Sequence, residues 1–283
     1  MIEPSADLQD LALMFVNHAH LMPGSIREDA TRKALLTLMD NCAIEQAVCF
    51  APFSYQYEKG NQWLAAEIQH DDRLYGYGTL DPAGDPVDQV REVADLGFKG
   101  IKLHPPAQKF EIFGDWSRKA YGEMEKQGLT ADFHLGVHWH RLKDYNPVDC
   151  DEIAWHFQGL KMVFEHVGGW HYYRQVLAVI TNNMHRGNHL YAGIASVLEK
   201  EYQRYWYLGP EGLDECRWQI GSDLLIYGLD FPYNPEHMIK RDLATIQSLD
   251  WPEEDIKKLT GGNLKRLLGL EEGEAAKVGG DPA

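Results

Sequence analysis

Short apolar runs alternate with helical patterns along almost the whole chain of 283 residues, and this rhythm is the strongest constraint on the fold. Eight candidate strands begin near residues 11, 44, 74, 98, 129, 160, 190 and 224. Successive strands start about 30 residues apart, which is the length of one strand-helix-strand unit. Eight such units predict a closed parallel (β/α)₈ barrel, for which about 250 residues is typical.

Helical patterns fill the intervals between the strands, at residues 27–39, 63–69, 86–94, 115–126 and 174–181. Near the end, Pro252 and the three acidic residues after it mark a helix start. Gly261 and Gly262 interrupt that helix before a last one at residues 263–270. We therefore expect one barrel domain over residues 1–270 and a polar, flexible tail over residues 271–283.

The charge balance excludes nucleic acid and anionic membranes as partners. The chain has 27 basic and 43 acidic residues, a formal net charge of −16, which repels phosphate groups. Residues 1–10 lack a basic leader, and the apolar run at 11–16 is too short to cross a membrane. The four cysteines form no C-x-x-C pair, so we expect reduced thiols and a cytoplasmic protein that binds a small-molecule substrate. A homo-oligomer stays open.

Metal-ligand residue types close five of the eight strands. A period of two places Met14, Val16, His18 and His20 on one face of the first strand. Lys102 and His104 share a face of the fourth strand. The fifth, sixth and eighth strands end at His134, His166 and Asp230. In a barrel of this kind, catalytic groups come from the carboxyl ends of the strands.

Each of these residues has an ordinary structural explanation when taken alone. An isolated histidine is commonly a hydrogen-bonded core residue, and Asp230 before an aromatic residue and Pro232 is typical of a turn. Their shared position at the carboxyl ends of strands spaced for one barrel instead predicts a metal site. Imidazole nitrogen and carboxylate oxygen without thiolate favour Zn²⁺, while Mn²⁺, Fe²⁺ and Co²⁺ accept the same donors.

At this point the sequence resembles the amidohydrolase superfamily of metal-dependent barrels, and most of all the branch that includes aminocarboxymuconate semialdehyde decarboxylase. The motifs that carry the resemblance run in order along the chain. They are NHAHLMP at 17–23, GYGTLDP at 76–82, LGFKGIKLHP at 96–105, FHLG at 133–136, VFEHVGG at 163–169, YGLDFP at 227–232 and LTGGNLKRLLGL at 259–270. Together they indicate the family and leave the reaction open.

The resemblance implies a mononuclear site for one divalent metal ion, bound by His18, His20, His134 and Asp230. It also implies catalytic roles for two residues: Asp230 accepts a proton from the attacking water, and His166 acts as acid, base or substrate-polarising group beside the ion. Asn17 stands where the family usually has Asp, and Leu229 where it often has Ser. Neither difference removes a metal ligand.

The residues that bind substrate are less well defined by the sequence. Relatives with two ions bridge them with a carboxylated lysine at the end of the fourth strand, whereas Lys102 lies two positions before that end. A buried lysine paired with an acid is the simpler interpretation. The candidate substrate-binding residues are Lys102, His104, His138, Arg141 and His171, the last three in the segments after the fifth and sixth strands. A solvated loop with aromatic anchors explains those segments equally well.

Three functions fit these residues. The first is a metal-dependent hydrolase of a lactone, ester or amide. The second is non-oxidative decarboxylation of an unsaturated or aromatic carboxylic acid, because the H-x-H-x-x-P pattern at residues 18–23 resembles the decarboxylases of the superfamily. The third is a barrel that binds a ligand without catalysis, which the full set of ligand residue types argues against.

Overall fold

A computed structural model describes residues 14–53 and 57–270, and its parallel strands pair in chain order to form a closed barrel. The strands are β1 (Met14–His20), β2 (Ile44–Phe50), β3 (Leu74–Gly78), β4 (Gly100–Leu103), β5 (Thr130–His134), β6 (Lys161–Glu165), β7 (His189–Ile194) and β8 (Leu225–Phe231). β8 pairs with β1 and closes the barrel. The predicted (β/α)₈ barrel is therefore confirmed. Three predictions lie outside the described residues: the start of the first strand near residue 11, the absence of a leader in residues 1–10, and the flexible tail over residues 271–283.

Helices connect the strands on the outside of the barrel. They are α1 (Arg32–Asn41), α2 (Tyr57–Ile68), α3 (Pro86–Asp95), α4 (Pro105–Gln108), α5 (Asp115–Gln127), α6 (Asp149–His156), α7 (Gly169–Asn183), α8 (Gly209–Ile220), α9 (Glu236–Gln247), α10 (Glu253–Lys257) and α11 (Asn263–Leu268). α3 begins as its sequence predicts, because the Asp85 side chain accepts hydrogen bonds from two backbone amides and Pro86 occupies the first turn. Within the described part of the chain, no helix is long and apolar enough to cross a membrane.

The barrel has separate inner and outer apolar layers. The inner layer unites residues of six strands with leucines of α11: Phe15, Val48, Phe50, Tyr77, Val163, Tyr191, Ile226, Leu264, Leu267 and Leu268. Asn263 donates hydrogen bonds to the backbone oxygens of Ser222 and Leu225, so α11 covers the amino-terminal end of the barrel. The opposite, carboxyl-terminal end carries the polar residues.

The predicted alternation of β1 is wrong for its first half. Met14 and Val16 belong to the outer apolar layer, whereas Phe15 belongs to the inner layer and Asn17 bonds to buried side chains of β5 and β6. His18 adopts φ 66°, and the pairing of β1 with both neighbours shifts register there. This irregularity changes the phase of the strand, so that His18 and His20 also face the barrel mouth.

Asp242 on α9 generates a prediction about stability and pH. Its side chain is buried, and Oδ1 has no hydrogen-bond partner within the described residues. Burial, reinforced by the charge of Glu199, raises the pKa of Asp242 to about 8. Since an unfolded aspartate has a pKa of about 3.9, this group favours the folded state fully below about pH 4 and loses that contribution as the pH rises towards 8.

We therefore predict that Asp242→Asn, which is neutral at every pH, loses less stability than the wild type between about pH 5 and 8.5. Urea unfolding at a series of pH values measures this difference. Asp88→Asn, at an exposed carboxylate on α3, is the control and should give a curve parallel to the wild type. Parallel curves for the Asp242 variant and the wild type would contradict the prediction.

Candidate metal centre

Three of the four predicted ligands converge at the mouth of the barrel. Asp230 Oδ1 lies 3.4 Å from His18 Nε2 and 3.3 Å from His20 Nε2. Two donors that bind a tetrahedral ion at about 2.0–2.2 Å are themselves separated by roughly 3.4 Å. The spacing of these three side chains therefore fits one divalent ion between them.

The ionisation states of these side chains also fit a cation. Burial, together with the charge of Lys102, holds the pKa of His18 well below its usual range, so its imidazole is neutral and can offer a lone pair. Burial opposes ionisation of Asp230, but the hydrogen bond from His20 and the other surrounding imidazoles outweigh it and hold the pKa of Asp230 well below its usual range. Neutral imidazole and ionised carboxylate are the forms that bind metals.

The second oxygen of Asp230 is fixed by two residues that the sequence analysis did not single out. Ser196 Oγ donates a 2.6 Å hydrogen bond to Asp230 Oδ2, and Asn234 Nδ2 donates to Ser196 Oγ at 2.9 Å. All three residues are buried. Ser196 follows β7, so the same rule that found the other strand-closing polar residues applies to it. The two hydrogen bonds leave Oδ1 directed at His18 and His20.

His134 and His166 form a pair beside these three residues. His134 Nδ1 lies 3.2 Å from His166 Nε2, while the far nitrogen of each ring faces a backbone oxygen, Gly136 O at 3.1 Å and Ala195 O at 2.9 Å. An N–H group directed at each backbone oxygen leaves the two lone pairs facing each other, as around a shared proton or a cation. Because the contacts are the same for both rings, they do not show which of the two histidines is the metal ligand. The roles of His134 as ligand and His166 as proton-transfer group stay predictions.

A second cluster of imidazoles lies next to this pair. Donor atoms of His104, His134 and His138 fall within 4.8 Å of one another, and His104 Nε2 is 3.2 Å from His138 Nδ1. The rings of His104 and His134 are stacked, however, with their centroids 4.0 Å apart and 9° between their planes. The lone pairs of two stacked rings lie in separate parallel planes and do not meet at one ion. This cluster therefore lines the cavity rather than forming a second metal site in the observed conformation.

Charged residues are buried under the three converging ligands. Lys102 Nζ pairs with Asp132 Oδ1 at 2.5 Å, which agrees with the interpretation of a buried lysine paired with an acid. Asn17 Nδ2 donates to Asp132 Oδ2 at 2.6 Å and to Glu165 Oε1 at 2.5 Å. Burial raises the pKa of Glu165, and it raises the pKa of Asp132 to about 6 against the opposing charge of Lys102. These four side chains form a continuous chain of contacts, Lys102–Asp132–Asn17–Glu165, that links β4, β5, β1 and β6.

A cavity of about 550 Å³ opens above the three ligands. Of the five candidate substrate-binding residues, Lys102, His104 and His138 line it. Arg141 and His171 are exposed and are not among its lining residues. His171 lies in the first turn of α7 rather than in a loop, because Gly168 and Gly169 adopt left-handed φ values of 81° and 59° and start the helix at once after β6.

Two aromatic side chains in the cavity wall were missed by the sequence analysis. The Trp206 ring stacks on His166 with centroids 4.3 Å apart, and its indole nitrogen donates to Val137 O. Tyr233 places its ring edge-on to His20 at 5.1 Å. Both residues lie in segments after strands, where no periodic pattern marks a side chain that points inwards. Only the general richness of the chain in tryptophan and tyrosine could have drawn attention to them.

Comparisons with known proteins agree with this geometry. The family model described as amidohydrolase matches residues 18–270, a span that contains all of the converging ligands. No curated protein matches the chain. Solved structures share its fold at low sequence identity. Three of them, described next, are named as enzymes of different reactions.

The first is provisionally named 2-pyrone-4,6-dicarboxylic acid hydrolase, from Pseudomonas putida, with 17% identity and a TM-score of 0.70 over 92% of this chain and 99% of that one. The second is a dihydroxybenzoic acid decarboxylase from Polaromonas with bound manganese, with 15% identity and a TM-score of 0.69 over 93% and 98%. The third is 5-carboxyvanillate decarboxylase from Sphingomonas paucimobilis, with 14% identity and a TM-score of 0.68 over 91% and 99%.

The convergence of His18, His20 and Asp230 predicts that zinc stabilises the folded protein. The wild type should carry about one divalent ion per chain, and zinc at about 100 times its dissociation constant should add about 2.7 kcal/mol to the free energy of unfolding. His20→Ala should lose most of that increment. Elemental analysis and melting curves with and without zinc measure both. A His20→Ala protein that responds to zinc as the wild type does would show that His20 is not a ligand.

Variants of His134 and His166 test which of these two residues is a metal ligand and which is the proton-transfer group. We predict that His134→Ala has little bound metal, whereas His166→Ala or His166→Asn keeps its metal and turns over ~10²- to 10⁴-fold more slowly. Metal content is measured for each purified variant, and turnover once a substrate is known. The reverse pattern would exchange the two roles, and loss of metal from both would make both residues ligands.

Proposed function

The chain belongs to the amidohydrolase family, and we propose that it is a metal-dependent hydrolase of a small lactone, ester or amide. The observation that carries the proposal is the convergence of His18, His20 and Asp230 below an open cavity, with the second oxygen of Asp230 held by Ser196. A divalent ion held by these residues supplies an activated water and polarises a carbonyl group. Two nitrogens and one oxygen favour Zn²⁺ as that ion.

The residues around this site supply the proton transfers. Asp230 is ionised, and Ser196 holds it in a fixed orientation, so its carboxylate can accept the proton of the attacking water. His166 lies against Trp206 with its Nδ1 proton engaged by Ala195 O. Its Nε2 atom carries the lone pair beside His134 Nδ1, so it would first take up the proton that Asp230 accepts from the water, and could then donate that proton towards the developing oxyanion and to the leaving group.

The charge of the cavity wall supports a neutral substrate. Among the described lining residues there is no arginine, and the lysine present, Lys102, is paired with Asp132. Carboxylate recognition in proteins commonly uses an arginine fork or an unpaired lysine. A neutral lactone, ester or amide can bind without an arginine or an unpaired lysine in the cavity wall.

Decarboxylation is the second candidate, and the aromatic wall is the observation that favours it. Trp206, Phe53 and Tyr233 border the cavity, so a planar aromatic acid could lie between them. Two of the structural neighbours are named as decarboxylases of aromatic acids. In that reaction the histidines of the cavity would deliver a proton to carbon.

A panel of substrates distinguishes these functions. The zinc-loaded protein is assayed with lactones, esters and amides by release of acid, and with aromatic and unsaturated carboxylic acids by release of CO₂. We expect hydrolysis, with Asp230→Asn slower by at least ~10²-fold. His156→Ala, at an exposed histidine of α6, is the matched control and should keep wild-type turnover. Release of CO₂ without hydrolysis of any neutral substrate would replace the first candidate by the second.

A further inference from the structure

We infer that Glu165 is a positioning residue that selects the tautomer of His18 and so aims the Nε2 lone pair of His18 at the proposed ion. This inference rests on the proposed function, because it concerns the same metal centre. It assigns a task to a buried carboxylate that does not line the cavity. Donor atoms of Glu165, Asp132 and His18 also lie within 4.8 Å of one another, but the Lys102 ammonium bound to Asp132 disfavours a second cation there. The argument depends on what surrounds Nδ1, the nitrogen of His18 that faces away from Asp230.

Two groups with opposite hydrogen-bonding character approach Nδ1 of His18. Lys102 Nζ lies 3.4 Å from it with hydrogen-bond geometry, and Glu165 Oε2 lies at the same distance without that geometry. If Glu165 is the partner, Nδ1 carries the proton and Nε2 has a free lone pair. If Lys102 is the partner, Nδ1 accepts, and the ring proton moves to Nε2, where it faces Asp230 and blocks metal binding. The two arrangements exclude each other.

Hydrogen-bond accounting favours Glu165. Its Oε2 atom is fully buried and has no hydrogen bond to any described residue in the observed geometry. His18 Nδ1 lies 3.4 Å from it, and in the proposed tautomer this nitrogen carries the proton that would satisfy Oε2. Lys102 Nζ already has a partner, because it pairs with Asp132 at 2.5 Å. A buried carboxylate oxygen without a donor is costly, whereas an ammonium group with a carboxylate partner is not left unpaired. The lower-energy tautomer is therefore the one with the proton on Nδ1.

The surroundings hold the Glu165 carboxylate in this position. Asn17 Nδ2 donates to Oε1 at 2.5 Å and thereby fixes one oxygen. On the other side, Gly193 of β7 leaves the space that the carboxylate occupies: a Cβ atom there would lie 2.5 Å from Oε2. The Asn17 amide also donates to Asp132, so it links two carboxylates that would otherwise repel each other. Aspartate at position 17 would bring a third carboxylate to the same place.

A carboxylate behind a ligand histidine orients the ring and strengthens its lone pair as a donor to the metal, and removing such a partner typically weakens metal binding by about 10- to 100-fold. Glu165→Gln is the direct test, since the new amide keeps the size of the side chain but can present an N–H group to Nδ1. We expect zinc affinity of the metal-depleted variant, measured by competition with a chelating dye, to fall by about that factor. The ¹⁵N spectrum of the His18 ring, measured without metal, should shift from the Nδ1–H to the Nε2–H tautomer.

Asp132→Asn is the control for charge, because it removes an equally buried negative charge from the same network, leaves Glu165 in place and keeps an amide oxygen that can accept from Lys102. Its zinc affinity should fall less than that of Glu165→Gln. Equal losses of zinc affinity in the two variants would mean that the lost negative charge alone explains the effect, which would overturn the inference. An unchanged His18 tautomer in Glu165→Gln would also overturn it. If Glu165→Gln does not fold, Gly193→Ala displaces the carboxylate instead and should give the same loss of zinc affinity; wild-type affinity in that variant overturns the inference.

The proposed function and this inference fail in different ways. A wild-type protein that binds no zinc, or whose zinc binding is unaffected by His20→Ala, would contradict the metal centre itself. A wild type that binds zinc through His20 while Glu165→Gln binds equally well would leave the metal centre in place and contradict only the role of Glu165.

Discussion

Closure of the barrel is the constraint on which the rest of the structure depends. Eight parallel strands in a ring direct alternate side chains into one interior from which water is excluded, so polar residues placed there must satisfy one another. Asn17, Lys102, Asp132 and Glu165 come from four strands and bond to one another, although Glu165 Oε2 is left without a hydrogen bond within this set. Their network lies between the apolar plug at the amino-terminal end and the converging ligands at the mouth, and it ties the orientation of the ligands to the closure of the barrel.

Strained backbone conformations are concentrated where the strands end. His18, His166, Ser196 and Asp230 all have left-handed φ values, between 52° and 66°. Such a conformation costs of order 1–3 kcal/mol for a residue with a side chain and persists only where the surroundings enforce it. Here the strand pairing below and the hydrogen bonds above enforce it. These backbone conformations position functional groups, because each of the four residues directs its side chain from the barrel wall towards the proposed metal centre.

The fold and most of the site were predictable from the sequence because both follow from simple periodicities. Strand spacing predicted the barrel, and the rule that catalytic groups close strands identified His18, His20 and Asp230, which the structure brings together. Strict alternation failed in β1, since the left-handed turn at His18 changes the phase of the strand and no local pattern signals it. Trp206 was missed for a related reason: its position depends on a close fit against Gly136 and Gly169, which only the folded chain brings together.

The charges of the centre connect the fold with the choice of substrate. A divalent ion with Asp230 as its carboxylate ligand leaves one excess positive charge, and Lys102 with ionised Asp132 and Glu165 adds one negative charge close behind His18. The assembly is then neutral before substrate arrives. A neutral carbonyl compound preserves that balance, whereas a carboxylate introduces a charge that no arginine of the described cavity wall offsets. In the proposed hydrolase, the buried network would therefore also favour a neutral substrate, because such a substrate leaves the charge of the centre unchanged.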